Sequence, residues 1–219
     1  QTLFFVIMTK YDQSLIDSGA KVAFPPEMVE VPLGKVISEA GLRQLRVAES
    51  EKERFVTFYF DGQKESAFPG EERIIVPSPK VMIYDQAPAM SAMQITDNLL
   101  DKMKSDNDIK FVLINFANPD MIGHTGNIGA TVKACEVVDE CIGKIANFVL
   151  AYGGVMLITA DHGNAEEMIN VKTGEIETEH NSNNVPFIAV GQILSENPSL
   201  LSPGLLADVA PTILNLLSI

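Results

Sequence analysis

The chain has 219 residues, of which 46% are hydrophobic and 21% are charged, a composition typical of a globular protein with a core of ordinary size. Its formal net charge of −13 makes nucleic acid and acidic membranes poor partners for the surface as a whole. No apolar run approaches the roughly 18 residues that a membrane-spanning helix needs, and no secretory signal is visible. We therefore expect neither a nucleic-acid partner nor a membrane partner.

Strand-like and helix-like apolar segments alternate along the chain. In the first half, strands are predicted at 3–8, 44–48 and 74–76, and helices at 32–40, ended by Gly41, and 91–103, with Ser91 as N-cap; 55–60 is ambiguous. In the second half, strands are predicted at 111–115, 155–159 and 186–190, and helices at 126–151 and 207–217. This alternation predicts an α/β fold with a mostly parallel sheet and helices on both faces. Ligands of such sheets bind beyond the carboxyl ends of the strands.

The two cysteines, Cys135 and Cys141, lie on the long helix predicted at 126–151. Their spacing separates them by roughly 9 Å along the helix axis. We therefore expect two free thiols in a reducing, cytoplasmic environment. The chain also starts at Gln1 on an apolar segment, so we expect it to be part of a longer protein.

All three histidines lie in short motifs that also contain acidic residues. Asp120 and His124 are four residues apart, Asp161 and His162 are adjacent, and His180 follows an acidic loop. Imidazole with carboxylate is a donor set that suits manganese, zinc or iron. Each motif alone is more often a surface feature, but two of them directly follow predicted strands and can converge at one sheet edge. Five ligands exceed the needs of one ion with open positions and suit a two-metal phosphoryl-transfer site.

Longer blocks of sequence carry a family resemblance. The matching blocks are 8–12, 48–52, 76–81, 84–85, 115–126, 159–166 and 184–187, and the most specific of them is 115–126. On these blocks the chain resembles the cofactor-independent phosphoglycerate mutases, a family of the alkaline phosphatase superfamily. The resemblance implies an alkaline phosphatase-like fold. It also implies that residues 1–219 correspond to the C-terminal portion of the metal-binding phosphatase domain, without the family's first strands and inserted domain.

The resemblance also implies a set of metal ligands. Asp120, His124 and His180 match the ligands of one divalent ion, and Asp161 and His162 match part of the set for a second. The ions implied are usually Mn²⁺, with Mg²⁺ and Zn²⁺ as alternatives.

Lys52 matches the family's active-site lysine, which contacts the transferred phosphoryl group. Taken alone, the charged run 49–54 is more typical of a solvated surface. The chain departs from the family pattern in the segment 53–55, where Phe55 stands in place of a usual histidine, and at Ala89, where glutamate is common. These departures do not affect the metal ligands, but they change residues near Lys52.

The implied activity is a phosphoryl shuttle that interconverts 3-phosphoglycerate and 2-phosphoglycerate through a phosphoserine, in a monomeric enzyme. Neither the family's nucleophilic serine nor its cluster of substrate-binding arginines is found in the sequence, so we expect this chain alone to be inactive. Two alternatives remain open. The chain could belong to another phosphotransferase of the superfamily, such as a phosphopentomutase, or to a metal-binding domain without catalysis.

Overall fold

The computed structural model describes residues 3–195 and 201–219. The strands in these residues are β1 (Val6–Ile7), β2 (Lys21–Val22), β3 (Arg43–Glu49), β4 (Glu71–Val76), β5 (Ile109–Ile114), β6 (Met156–Thr159) and β7 (Phe187–Val190). The α-helices are α1 (Gln13–Asp17), α2 (Leu33–Glu39), α3 (Glu53–Val56), α4 (Ala92–Ser105), α5 (Asn118–Gly123), α6 (Ile128–Ala151), α7 (Gln192–Ser195) and α8 (Val209–Leu217). None of the helices in this part of the chain is both long and apolar enough to cross a bilayer.

The strands form three separate sheets within the described residues. The central sheet has the order β4-β3-β5 and is entirely parallel, and β1 pairs with β2, also in parallel. β6 and β7 pair antiparallel. An antiparallel pair needs no crossover helix, and the chain between β6 and β7 has none. The predicted α/β fold with a mostly parallel sheet is confirmed, with this antiparallel pair as an exception.

The central strand β3 is buried on both faces, as expected for a strand between two helical layers. Leu45 and Val47 point into the apolar core, and on the opposite face Gln44 donates a hydrogen bond from Nε2 to the Gly34 carbonyl of α2 at 2.8 Å. The other buried members of the core come from β4, β5, α4 and α6: Val76, Ile95, Leu99, Ile109 and Ile145. Helices therefore cover both faces of the sheet.

Some element boundaries differ from those predicted. Most of the segment 3–8 is exposed and only two of its residues are strand, so its prediction as a buried strand is wrong. Ser91 occupies the N-cap position of α4 but makes no capping bond, because its hydroxyl donates to the Pro77 carbonyl at 2.8 Å. The long helix α6 is capped by Asn127, which accepts from the backbone of Ala130. The ambiguous segment 55–60 is the end of α3 followed by turns.

A buried network of charged side chains lies on the α2 side of the sheet. Arg46 and Asp61 are both fully buried, with 3.5 Å between Nη2 and Oδ1, and Arg73 approaches the second Asp61 oxygen at 3.1 Å. Arg73 also donates to Glu71 at 2.6 Å. Burial, followed by repulsion from the Glu71 carboxylate, outweighs the two arginines and raises the pKa of Asp61 to about 6.

This shift predicts a pH-dependent contribution of Asp61 to stability. Because its folded pKa lies above the unfolded value, its contribution is fully present below about pH 4 and is lost as pH rises through about pH 6. We expect Asp61→Asn to remove this loss. The free energy of unfolding of the variant, relative to that of wild type, should therefore rise by about 2 kcal/mol between pH 4.5 and 7.5. Urea unfolding of both proteins across this range measures the difference, and parallel pH profiles would contradict the assignment.

Candidate metal centre

Asp120 lies in α5, which begins just beyond the carboxyl end of β5, and His124 is the C-cap residue of the same helix. Pro119 in the first turn fixes the backbone angle that starts the helix. The spacing of four residues then brings both side chains to the same side, and His124 Nε2 lies 3.1 Å from Asp120 Oδ1. This segment lies between the strand predicted at 111–115 and the helix predicted at 126–151; the structure has a short helix there, and the two side chains approach each other.

His180 completes a group of three potential ligands. Its Nε2 lies 3.0 Å from Asp120 Oδ1 and 3.0 Å from His124 Nε2, and one donor atom from each residue lies within 4.8 Å of the others. His180 comes from the loop before β7, 56 residues after His124. The fold thus brings together the three residues that the family resemblance implies as ligands of one metal.

The tautomer of His124 orients its free nitrogen toward this group. His124 Nδ1 lies 2.7 Å from the Thr178 carbonyl oxygen, which can only accept a hydrogen bond. Nδ1 therefore donates to this carbonyl, which leaves Nε2, the nitrogen that faces Asp120 and His180, as the atom that would bind a metal. A backbone carbonyl that fixes the outer nitrogen is the usual support for a metal-binding histidine. Two imidazoles and one carboxylate fit Mn²⁺, Zn²⁺ or Fe²⁺ by their donor chemistry.

His162 lies next to the three-ligand group, whereas the Asp161 side chain is mostly exposed. The His162 ring stacks on His180 with 3.7 Å between centroids, and its Nε2 lies 3.9 Å from Asp120 Oδ1. The Asp161 side chain is 67% exposed and approaches His162 Nε2 at 3.6 Å. Within the described part of the chain only Asp120, His124 and His180 meet the geometry of a three-ligand site, so a second metal at Asp161 and His162 stays a prediction.

Lys52 is buried against the same carboxylate and is not a solvated surface lysine. It ends a short 3₁₀ turn that follows β3, and its Nζ lies 2.5 Å from Asp120 Oδ2. Burial opposes ionisation of Asp120, but the hydrogen bond and positive charge of Lys52 prevail and lower the pKa of Asp120 below its ordinary value. Asp120 is therefore held as a carboxylate, with one oxygen toward the histidines and the other toward the lysine.

Asn164 is a site residue that the sequence reasoning did not assign. Its amide Nδ2 donates to Asp120 Oδ1 at 3.2 Å, and its backbone N–H donates to Glu166 at 2.8 Å. A side chain on Gly123 would meet Asn164 Oδ1 at 2.2 Å, so glycine is required for this close packing. The position of Asn164, two residues after His162 and within the same motif, was the available signal.

The chain is similar in sequence to known proteins. The sequence profile of the Metalloenzyme superfamily matches residues 19–219. The 2,3-bisphosphoglycerate-independent phosphoglycerate mutase of Symbiobacterium thermophilum is 48% identical over 214 residues, 98% of this chain and 40% of that protein. The protein of the same name from Clostridium beijerinckii is 50% identical over 212 residues, 97% of this chain and 40% of the relative.

A solved structure shows the same similarity. A crystal structure of Leishmania mexicana phosphoglycerate mutase at low cobalt concentration superposes with a TM-score of 0.81 and 29% sequence identity. The match covers 97% of this chain and 41% of that protein. The chain thus spans about two fifths of the length of the proteins it matches.

If the three-ligand group binds a metal, the affinity should depend on the aspartate and on the histidines. We expect Asp120→Asn and His180→Ala each to weaken Mn²⁺ binding by at least about 100-fold, because each removes a direct donor. Isothermal titration of the metal-free chain measures this, with Asp101→Asn on the exposed surface of α4 as the matched control. Equal affinities for wild type and both variants would show that Mn²⁺ binds elsewhere.

Asn164 is expected to support the centre indirectly. Asn164→Ala removes one hydrogen bond that holds Asp120, and loss of such an outer contact weakens metal binding by roughly 10-fold. The Mn²⁺ titration of this variant should give an intermediate affinity, while thermal unfolding shows that it folds. A variant that binds as tightly as wild type would remove Asn164 from the centre.

Proposed function

Because the chain belongs to the Metalloenzyme superfamily, we propose that it forms the metal-binding part of a phosphoglycerate mutase that interconverts 3-phosphoglycerate and 2-phosphoglycerate. The observation that carries the proposal is the convergence of Asp120, His124 and His180 on one point, with Lys52 buried against the same carboxylate. Similarity to proteins named as phosphoglycerate mutases extends over nearly the whole chain and supports the choice of substrate.

In this proposal the three-ligand group holds one divalent ion, with Mn²⁺ as the first choice and Mg²⁺ or Zn²⁺ as alternatives. Asp161 and His162 supply part of the site for a second ion, and the stacking of His162 on His180 supports a position beside the first. When bound, the ions would favour ionisation of a serine hydroxyl and neutralise charge on the phosphoryl oxygens.

Lys52 supplies a positive charge that does not depend on a bound metal. Its ammonium has three N–H donors, and the structure commits one of them to Asp120 Oδ2. A remaining N–H group can donate to an oxygen of a phosphoryl group beside the metal centre. Such a fixed positive charge stabilises a phosphoryl group during transfer, when negative charge is spread over its equatorial oxygens.

The proposed reaction has two balanced steps. A serine hydroxyl loses its proton and its oxygen attacks the phosphorus of 3-phosphoglycerate; the bond from phosphorus to the substrate's O3 breaks, and the departing oxygen takes up a proton. The 2-hydroxyl of the glycerate then loses its proton and attacks the phosphorus of the phosphoserine; the bond from phosphorus to the serine oxygen breaks, and that oxygen takes up a proton. We place the serine and the substrate-binding arginines in the part of the relatives' length that this chain does not span, and we expect the isolated chain to be inactive.

We also propose a cytoplasmic monomer whose partner is a small phosphorylated acid and neither nucleic acid nor a membrane. The free Cys135 and Cys141 thiols support a reducing compartment, and the net charge of −13 opposes binding to polyanions.

The experiment is an assay of the full-length gene product with Mn²⁺, using 3-phosphoglycerate and, in parallel, pentose 1-phosphates. We expect phosphoglycerate mutase activity in the full-length product and none in the 219-residue chain. Lys52→Met should lower kcat by about 100-fold or more while Mn²⁺ binding persists, because it removes a charge that acts on the transferred group. Pentose phosphate turnover would replace the proposed substrate, and a full-length product that binds Mn²⁺ without any turnover would indicate a non-catalytic domain.

A further inference from the structure

Phe55 covers the ammonium group of Lys52. Lys52 ends the 3₁₀ turn Ser50–Lys52 and Phe55 lies three residues later in α3, a spacing that brings two side chains to one side of a helical segment. The centre of the Phe55 ring lies 4.4 Å from Lys52 Nζ. This distance is well inside the range of a cation–π contact, in which the negative face of the ring attracts the cation.

The ring is itself supported and lies on the outer side of the lysine. Phe55 packs against Tyr59 with 5.6 Å between ring centroids. Phe55 is 46% exposed, whereas the Lys52 side chain is only 11% exposed. The aromatic face, with no hydrogen-bonding group of its own, thus covers a cation that is already bonded to Asp120 on another side.

This arrangement restricts a side chain that is ordinarily flexible. A lysine ammonium sits on a four-carbon stem with many rotamers, and a single hydrogen bond leaves it free to turn. Two fixed contacts, the Asp120 carboxylate and the Phe55 ring, define its position.

We propose that Phe55 is a positioning residue that holds the Lys52 ammonium for binding a phosphoryl group beside the metal centre. The proposal rests on the proposed function only in the role it gives Lys52; the contact itself stands on geometry. Its effect must come from the ring face, because phenylalanine can neither donate a proton nor bind a metal. An aromatic replacement should therefore preserve it, and an aliphatic one should not.

The test combines a spectroscopic signature with anion binding in the 219-residue chain. NMR of the wild type should show the Lys52 ε-methylene protons shifted upfield by the ring, with the shift lost in Phe55→Leu and kept in Phe55→Tyr. Titration of inorganic phosphate into the Mn²⁺-loaded protein should give roughly 3- to 10-fold weaker binding for Phe55→Leu and wild-type binding for Phe55→Tyr. Phe58→Leu is the matched control, because Phe58 covers Arg54 at 4.0 Å in the same segment.

The outcomes separate this inference from the proposed function. No upfield shift in the wild type, or unchanged phosphate binding in Phe55→Leu when Lys52→Met binds phosphate more weakly, would overturn the positioning role and leave the function of Lys52 intact. If Lys52→Met binds phosphate as wild type does, the proposed role of Lys52 fails first, and the positioning role of Phe55 fails with it. Equal weakening by Phe55→Leu and Phe58→Leu would show a general effect of the segment and would also overturn the proposal.

Discussion

The negative charge of Asp120 is the interaction on which the site depends. One oxygen faces His124, His180 and Asn164, and the other faces Lys52. Burial alone would favour the neutral acid, and Lys52 reverses that preference, so the carboxylate is charged before any metal binds. One side chain therefore links a cation-binding face to a fixed ammonium. A phosphoryl-transfer centre needs both of these charges close together.

The parallel sheet explains how residues distant in sequence meet at this carboxylate. β3 and β5 are hydrogen-bonded neighbours that run in the same direction, so their carboxyl ends lie side by side. Lys52 follows the first strand and Asp120 follows the second, 68 residues later. Because β3 is buried on both faces, its end is held in place by the core. The ion pair thus forms at the sheet edge where ligands of α/β proteins bind.

The sequence predicts those parts of the site that depend on local spacing or on strand ends. The positions of Asp120 and His124 followed from a separation of four residues after a strand, and the alternation of segments gave the parallel sheet. The approach of His180 was expected from the family resemblance and from the shared acid-and-histidine motifs, because no local rule places a loop residue against a residue 56 positions earlier. The family resemblance carried the prediction for Lys52, whose own charged surroundings favoured a solvated surface.

What escaped prediction depends on long-range packing. The burial of Arg46 and Asp61 inside the sheet layer, the contact of Asn164 with Gly123 and the antiparallel pairing of β6 with β7 all involve partners far apart in sequence. Hydrophobic periodicity carries no information on such polar contacts, because it records only which faces are apolar. Phe55 and Lys52 are only three residues apart, so their contact is local in sequence. The contact matters for the site because Lys52 is buried against Asp120, and local spacing does not predict that burial.

The most direct test of the central claim is pulsed electron paramagnetic resonance of the chain loaded with one equivalent of Mn²⁺. If Asp120, His124 and His180 form the first metal site, the spectrum should show hyperfine coupling to two directly bound imidazole nitrogens. A manganese ion surrounded only by oxygen ligands, with no histidine nitrogen coupled to it, would contradict the account.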